Sequence, residues 1–335
     1  MTTTKINNRR YLGNKYRLLP FITEVISAEC GDFGTFADIF AGTGAVSSAY
    51  TDKRLITNDI LYSNYLCHLT WFSDEPFDRK KIESYIAYFN SDIPYQENYM
   101  TRNFAGTYFS GKVCSKIGFI REYIESEFND GKINAKERAM LVTSLLYGLD
   151  KIANTCGHYD AYRQNAELTE ELTLALPEPN ENLRHNECFN CDTNELAKKI
   201  SADVVYIDPP YNSRQYSDAY HLVENIARWQ KPEVFGVAKK MDRTALKSRY
   251  CTRSAPKAFA DLIRDLRAKY IVVSYNNMAK KGNDRSNARI SDTEIMDTLK
   301  SKGTVKTFSE QFKAFTTGKS ERSDNEERLF VCKCK

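Results

Sequence analysis

The sequence predicts an α/β protein: a mostly parallel sheet of about seven strands, interrupted by a largely helical insertion. Three observations carry that expectation. Short apolar strands alternate with helical stretches toward both ends of the chain, a glycine turn follows the first strand, and acids stand at the ends of several strands. Alternation of this kind implies parallel pairing through right-handed crossovers.

Leu18, Leu19, Ile22, Val25 and Ile26 recur at helical spacing and predict an opening helix, ended by a turn at 31–34. Residues 35–40 read as a buried strand, Ala41-Gly42-Thr43-Gly44 as a tight turn, 45–50 as the first turns of a helix, and 55–59 as a second strand ending on Asp59. Between about 62 and 185 the alternation lapses into aromatic, helix-rich sequence, with a strong helix at Ala135–Ile152 and a Pro/Glu/Asn-rich loop at 177–182. Strands resume at 186–192, 203–208 and 270–275, and those at 304–307 and 328–332 close the chain as an antiparallel pair. The reading yields one domain from 1–61 and 186–335, and an inserted one from 62–185.

At 335 residues, 41% hydrophobic and 27% charged, the chain can bury one large core or a core plus a smaller module. It opens without a signal-like apolar stretch, and nowhere do about 18 apolar residues run together, so a cytoplasmic protein that does not span a membrane is expected. Nine cysteines in that setting read as reduced thiols. Cys188-x-x-Cys191 and Cys332-x-Cys334 carry zinc-type donors, but the last two alternate along a strand, and no metal is expected. A net charge of +4 does not by itself identify a nucleic-acid binder. Its distribution is more informative: Lys239, Lys240, Arg243, Lys247, Arg249, Arg253 and Lys257 face one acid, Asp242, within 239–257. That stretch reads either as a grip on phosphates or as a solvated loop.

Asp38-Ile39-Phe40-Ala41-Gly42-Thr43-Gly44 sets two glycines where absent side chains let a ligand approach the backbone, although turns of this kind are also purely structural. Asp59, at the end of the next strand, is placed to hold ribose hydroxyls, and together they indicate a nucleoside ligand. Asp208-Pro209-Pro210-Tyr211 leaves an apolar strand as a stiff, extended turn, since both prolines fix their own φ and the first restricts Asp208. The Asp208 carboxylate and Pro209 carbonyl are two acceptors for the hydrogens of an amine, and Tyr211 offers a flat face to a flipped base. His158 and His221 read as packing residues or pocket neighbours, and Trp71 and Phe72 chiefly as core.

Arg10-Tyr11-Leu12-Gly13-Asn14-Lys15, Asp38 to Gly44, Asp59, Asp192 and Asp208 to Tyr211 occur in the order found in the alpha group of DNA adenine-N6 methyltransferases, the Dam-like family, which this chain resembles nearly throughout. The insertion resembles that of FokI-type modification methyltransferases in residues 103–109, Ile117-Gly118-Phe119-Ile120-Arg121 and 150–162, as does Ser274-Tyr275-Asn276-Asn277.

The resemblance implies a doubly wound, Rossmann-like sheet that binds S-adenosyl-L-methionine, an insertion that reads DNA sequence, and methyl transfer to the N6 amine of a flipped adenine in duplex DNA. A cognate restriction endonuclease acting separately is an optional partner, and monomeric action the default. By the same resemblance Tyr11 and Lys15 contact the methionine end of the cofactor, with Lys15 on its carboxylate. Asp38 faces its ammonium, Phe40, Ala41, Gly42 and Gly44 line it, Asp59 takes the ribose and Asp192 lies near its adenine. Asp208, Pro209, Pro210 and Tyr211 form the catalytic clamp. Lys239, Lys240, Arg243, Lys247, Arg249 and Arg253, with His158, Tyr162 and Arg163, are the candidate DNA contacts. Ala41 stands where the family often has Gly or Cys, and Asp160 where it has Tyr. An RNA adenine methyltransferase, a cytosine-N4 enzyme and an idle DNA-binding protein on the same scaffold are the alternatives.

Overall fold

The structure, a computed structural model, describes residues 1–9, 11–155, 157–179, 184–276, 288–311 and 326–335. Arg10, Cys156, residues 180–182 of the expected loop and Asn277 lie outside the described residues. Among the described residues nine strands follow in chain order: β1 (Thr3–Thr4), β2 (Thr35–Asp38), β3 (Arg54–Asn58), β4 (Leu176–Pro177), β5 (Glu187–Phe189), β6 (Ser201–Ile207), β7 (Arg267–Asn276), β8 (Gly303–Gln311) and β9 (Glu326–Cys334). Seven of them form one sheet in the order β5-β3-β2-β6-β7-β9-β8. The pairings from β5 to β7 are parallel, and β9 runs antiparallel to both β7 and β8. The expected mixed α/β architecture is present, with the closing antiparallel pair folded so that the last strand lies inside the sheet.

The described residues divide into two compact units. The sheet unit comprises 15–60, 184–216 and 245–335. On one face Ala37, Ile56, Val205, Ile207, Ile271 and Val273 form a core with Phe259, Leu262 and Ile263 of the helix Ala255–Asp265 and Ile295 and Leu299 of the helix Asp292–Lys300. The intervening residues Phe36, Val204, Tyr206 and Val272 are also buried, so these strands are apolar in both phases. A strand covered on both faces requires this. The helix Leu19–Cys30 packs against β9 with Ile22, Val25 and Ile26 buried.

Residues 45–50 do not form the expected α-helix. Only a 3₁₀ turn, Ser47–Tyr50, is present ahead of β3, which begins at Arg54. Two serines add a local competitor: Ser47 Oγ bonds Asp38 and Ser48 Oγ bonds the Ala45 carbonyl.

The second unit comprises 1–14, 61–183 and 217–244, and so differs from the expected insertion at 62–185. Its centre is the helix Ala135–Ile152, buried at every position from Lys136 to Leu149 and flanked by the helices Tyr62–Phe72 and Arg79–Asn90. Trp71 and Phe72 are core residues here. Buried polar bonds draw in the added segments. Arg9 is ion-paired with Asp150 at 3.4 Å and donates to Asn64 at 2.9 Å, while Arg121, fully buried, donates from Nε to the Ile226 carbonyl at 2.8 Å. Buried charges demand such partners wherever in the chain these lie.

Among the described residues no helix is long and apolar enough to cross a membrane. Cys188 lies on β5 and Cys332 on β9, five strands apart in the sheet, or about 24 Å at the usual strand spacing. One zinc ion cannot join them.

Gly118 illustrates close packing in the second unit, since an added Cβ would stand 2.3 Å from the Asn98 amide. Asn98 caps the helix Tyr99–Phe104 and donates to the Ser115 carbonyl at 2.9 Å. Gly118→Ala should therefore displace the cap and destabilise the protein by about 1 kcal/mol or more in urea unfolding. An unchanged midpoint would contradict this packing.

Candidate active site

Parallel pairing sends the carboxyl ends of β5, β3, β2, β6 and β7 to one edge of the sheet. From β2 the chain steps outward through β3 to β5, and from β6 it steps the other way to β7. The switch point lies between β2 and β6, where open α/β sheets place their ligands. Asp38 ends β2 opposite Tyr206, and Asp208 follows β6 directly. Ladder register therefore brings the two acids to the same place.

Asp38 is buried, and Ser47 Oγ donates to its Oδ2 at 2.9 Å. Its Oδ1 is buried without a hydrogen-bond partner among the described residues. Burial pushes the carboxyl up to about 7; the Ser47 bond opposes this, and the Asp208 and Asp59 carboxylates reinforce it. The following turn needs its glycines, since Gly42 has φ +54° and Gly44 φ +80°. Asp59 is a partner of that turn, accepting from the Gly42 N–H at 3.0 Å. Phe40 packs edge-on against Tyr250, with centroids 5.0 Å apart, and Ala41 is buried. Asn58, which sequence reasoning missed, joins three segments: its amide donates to the Ile39 and Cys191 carbonyls and to Thr193 Oγ1, each at 3.2 Å. An asparagine at a strand end carries no signal of such bonding.

The Asp208 to Tyr211 turn is anchored from β7. The Tyr211 carbonyl accepts from Tyr275 Oη at 3.3 Å and from the Arg289 N–H at 2.8 Å, and Tyr275 Oη in turn accepts from the Ile290 N–H. Pro209 is buried, whereas Asp208, Pro210 and Tyr211 are partly exposed. Lys15 is buried beside them, with Nζ 2.8 Å from Asp208 Oδ1 and 3.4 Å from Glu327 Oε1. Burial alone lowers the Lys15 ammonium, but the two carboxylates outweigh it and hold the group well above its ordinary value. Asp208 is raised by burial, with Lys15 lowering it and Glu327 raising it. Glu327 and its partner Ser274 were not singled out from sequence as site residues. Ser274 stood in a quoted segment, but Glu327 sits on a strand whose pairing is visible only in three dimensions.

Asp192 caps the helix Thr193–Ala197, accepting from the Asn194 and Glu195 N–H groups, and pairs with Arg249 at 3.3 Å. Tyr11 belongs to the other unit, where it stacks on Tyr220 at 4.5 Å and its hydroxyl accepts from Asn64. The basic stretch is not one surface element. Lys239, Lys240 and Arg243 fall in the second unit and Lys247, Arg249 and Arg253 in the sheet unit. Lys240 pairs with Asp160 at 2.6 Å and Arg243 with Asp218 at 2.7 Å, whereas Lys247 and Arg253 are exposed. Lys239 occupies a left-handed turn position, φ +52°. In the second unit Arg163 is exposed, Tyr162 stacks edge-on to Tyr108 at 5.2 Å, and His158 Nδ1 accepts from the Asp160 N–H. His221 is a core residue bonded to the Tyr159 carbonyl at 2.7 Å, and burial lowers it to about 4.

Asp38 gives a pH signature. Its folded value lies above the unfolded one of about 4, so the fold binds the extra proton between them, and stability falls as pH rises through about 7. Asp38→Asn removes that penalty. Relative to wild type the variant should gain stability from about pH 4 to about pH 7 and level off above that in urea unfolding, and a pH-independent difference would reject the assignment.

Comparison with known proteins agrees with this geometry. The profile of the D12 class of N6 adenine-specific DNA methyltransferases matches residues 11–285. The chain is 35% identical over 285 residues to the modification methylase StsI of Streptococcus sanguinis, covering 80% of this chain and 44% of that protein. It is 31% identical to the type II methyltransferase M.FokI of Planomicrobium okeanokoites, over 89% of this chain and 48% of the relative. With M.NlaIII of Neisseria lactamica the identity is 32%, over 80% of this chain and 83% of that one. The chain thus spans less than half the length of StsI and M.FokI and most of M.NlaIII. By the profile match and by these identities, the chain belongs to the D12 class of N6 adenine-specific DNA methyltransferases.

Proposed function

We propose that this chain transfers a methyl group from S-adenosyl-L-methionine to the N6 amine of a flipped adenine at specific sites in duplex DNA, as the modification partner of a restriction system. The observation that carries the proposal is the meeting of Asp208 and its proline turn with the half-satisfied, buried Asp38 at the sheet's switch point.

The residues present fit the cofactor. The Oδ1 of Asp38, without a partner among the described residues, is an acceptor for its ammonium, and the glycine turn presents backbone without side chains beside it. Lys15 has three donor hydrogens, of which Asp208 takes one while Glu327 stands at ion-pair distance, leaving a donor for a cofactor carboxylate. Asp59 serves the ribose, Asp192 lies toward the adenine, and Phe40, Ala41 and Tyr11 complete the set carried over from the family.

When bound, S-adenosyl-L-methionine supplies a methyl already activated on a sulfonium, so no side chain need act as nucleophile. This chain orients and polarises. Asp208 and the Pro209 carbonyl accept the two amine hydrogens and localise the nitrogen lone pair, Pro210 stiffens the turn, and Tyr211 meets the adenine ring. Once methylated, the amine gives a proton to Asp208 or to solvent. Residues 62–185 serve as the target-recognition domain inserted into a catalytic domain of 1–61 and 186–335. The exposed cations Lys247 and Arg253 hold phosphates, with Lys239, Arg163 and Tyr162 as further contacts.

The test is methyl incorporation from labelled cofactor into duplex DNA and into RNA, followed by digestion to nucleosides. N6-methyladenine in DNA is expected, and label confined to RNA or cytosine overturns the proposal. Asp208→Ala should lower kcat by at least about a hundredfold, since it removes one of two acceptors. Activity retained above about a tenth sinks the clamp. Charge reversal at Lys247 and Arg253 should weaken DNA binding and reduce its salt slope by roughly 1 to 2. An unchanged slope returns those residues to the solvent.

A further inference from the structure

We propose that Glu327 is a positioning residue for the Asp208 acceptor, sharing Lys15 with it so that Asp208 keeps a free oxygen and its strength as an acceptor for the target amine. The inference rests on the function proposed above and assigns a role to β9, which that proposal does not use.

The geometry is a chain of three contacts. Ser274 on β7 donates to Glu327 Oε1 at 2.6 Å, Lys15 Nζ stands 3.4 Å from that same oxygen, and Lys15 Nζ stands 2.8 Å from Asp208 Oδ1. Register explains the placement: Glu327 pairs with Asn276, so Ser274 is its diagonal neighbour across the β7/β9 ladder. The side chains of Lys15 and Glu327 are only 10% and 9% exposed. Burying a carboxylate there is a poor way to stabilise a fold, because an apolar pair of similar size would serve as well or better. A role for its charge accounts for its presence.

Charge balance states what that role is. Asp208 and Glu327 face Lys15, Asp38 from the end of β2 adds a further acid beside Asp208, Tyr206 and Tyr211 add neutral hydroxyls, and the Arg214 cation acts on Tyr211. Without Glu327 the ammonium would settle wholly on Asp208, neutralise it and weaken it as an acceptor. With Glu327 held by Ser274, Lys15 stays bonded to Asp208 at 2.8 Å but divides its charge between two carboxylates, and the second negative charge makes the Asp208 carboxylate more basic. A more basic acceptor bonds the amine more strongly and takes its proton more readily once the methyl has arrived.

The experiment compares wild type, Glu327→Gln and Glu327→Asp by two readouts: pH profiles of kcat and KM for methylation of duplex DNA, and titration of the Asp208 carboxyl by carbon-13 NMR in the ligand-free protein. Glu327→Gln should lower kcat about tenfold with KM within about twofold. It should also move the Asp208 titration and the acid limb of kcat to lower pH. Glu327→Asp, which keeps the charge, should leave both near wild type. Either an unmoved titration or an unchanged kcat in Glu327→Gln overturns the inference. If wild type methylates no DNA, the proposed function has failed, while the titration still decides the role of Glu327. Should Glu327→Gln not fold, Ser274→Ala releases Glu327 without removing its charge, and a kcat equal to wild type would then overturn it.

Discussion

Phe36, Ala37 and Asp38 pair in parallel with Val204, Val205 and Tyr206, and the chemistry of the sheet unit depends on that ladder. Parallel register sends both chains out of the sheet at the same edge, so an acid ending one strand meets an acid following the other. Each neighbouring pairing adds two contributors. β3 leads Asn58 and Asp59 to the glycine turn, and β7 brings Tyr275 to the proline turn and Ser274 to Glu327. Shifting β6 by one residue would turn Asp208 to the other face and leave the β2 acid alone.

Placing acids together in a buried edge has a cost that the surrounding structure offsets only in part. Lys15 answers Asp208 and Glu327, and Ser47 answers one oxygen of Asp38; the other Asp38 oxygen is without a partner among the described residues. Such residual imbalance favours a cationic ligand, because a bound positive charge supplies what the protein withholds. Stability and negative charge oppose each other here, since Asp38→Asn removes the penalty and the charge together.

The second unit solves a different problem. Its central helix is buried almost all round, and its edges are closed by buried guanidinium groups whose partners come from distant parts of the chain. Arg9 and Arg121 recruit 1–14 and 217–244 to a unit that the insertion alone would not complete. Such a unit cannot be delimited from sequence, since the hydrophobic periodicity of 62–185 is complete in itself and says nothing about which outside segment satisfies a buried arginine.

Local chemistry determined much of the protein. The two prolines after Asp208, the glycines at 42 and 44, the 3.6-residue periodicity of Ala135–Ile152 and the apolar strands at 203–208 and 270–275 each act within a few residues, and all were legible in the chain. The helix expected at 45–50 is a 3₁₀ turn, where the side chains of Ser47 and Ser48 offer competing local hydrogen bonds. What only tertiary structure decided is pairing over long separation: Lys15 with Asp208, Glu327 with Ser274, Asp192 with Arg249, and Arg9 with Asp150. A carboxylate looks the same in sequence whether it caps a helix, grips a turn or waits for a ligand. Its partner is chosen by strand order and burial, which exist only once the sheet has formed.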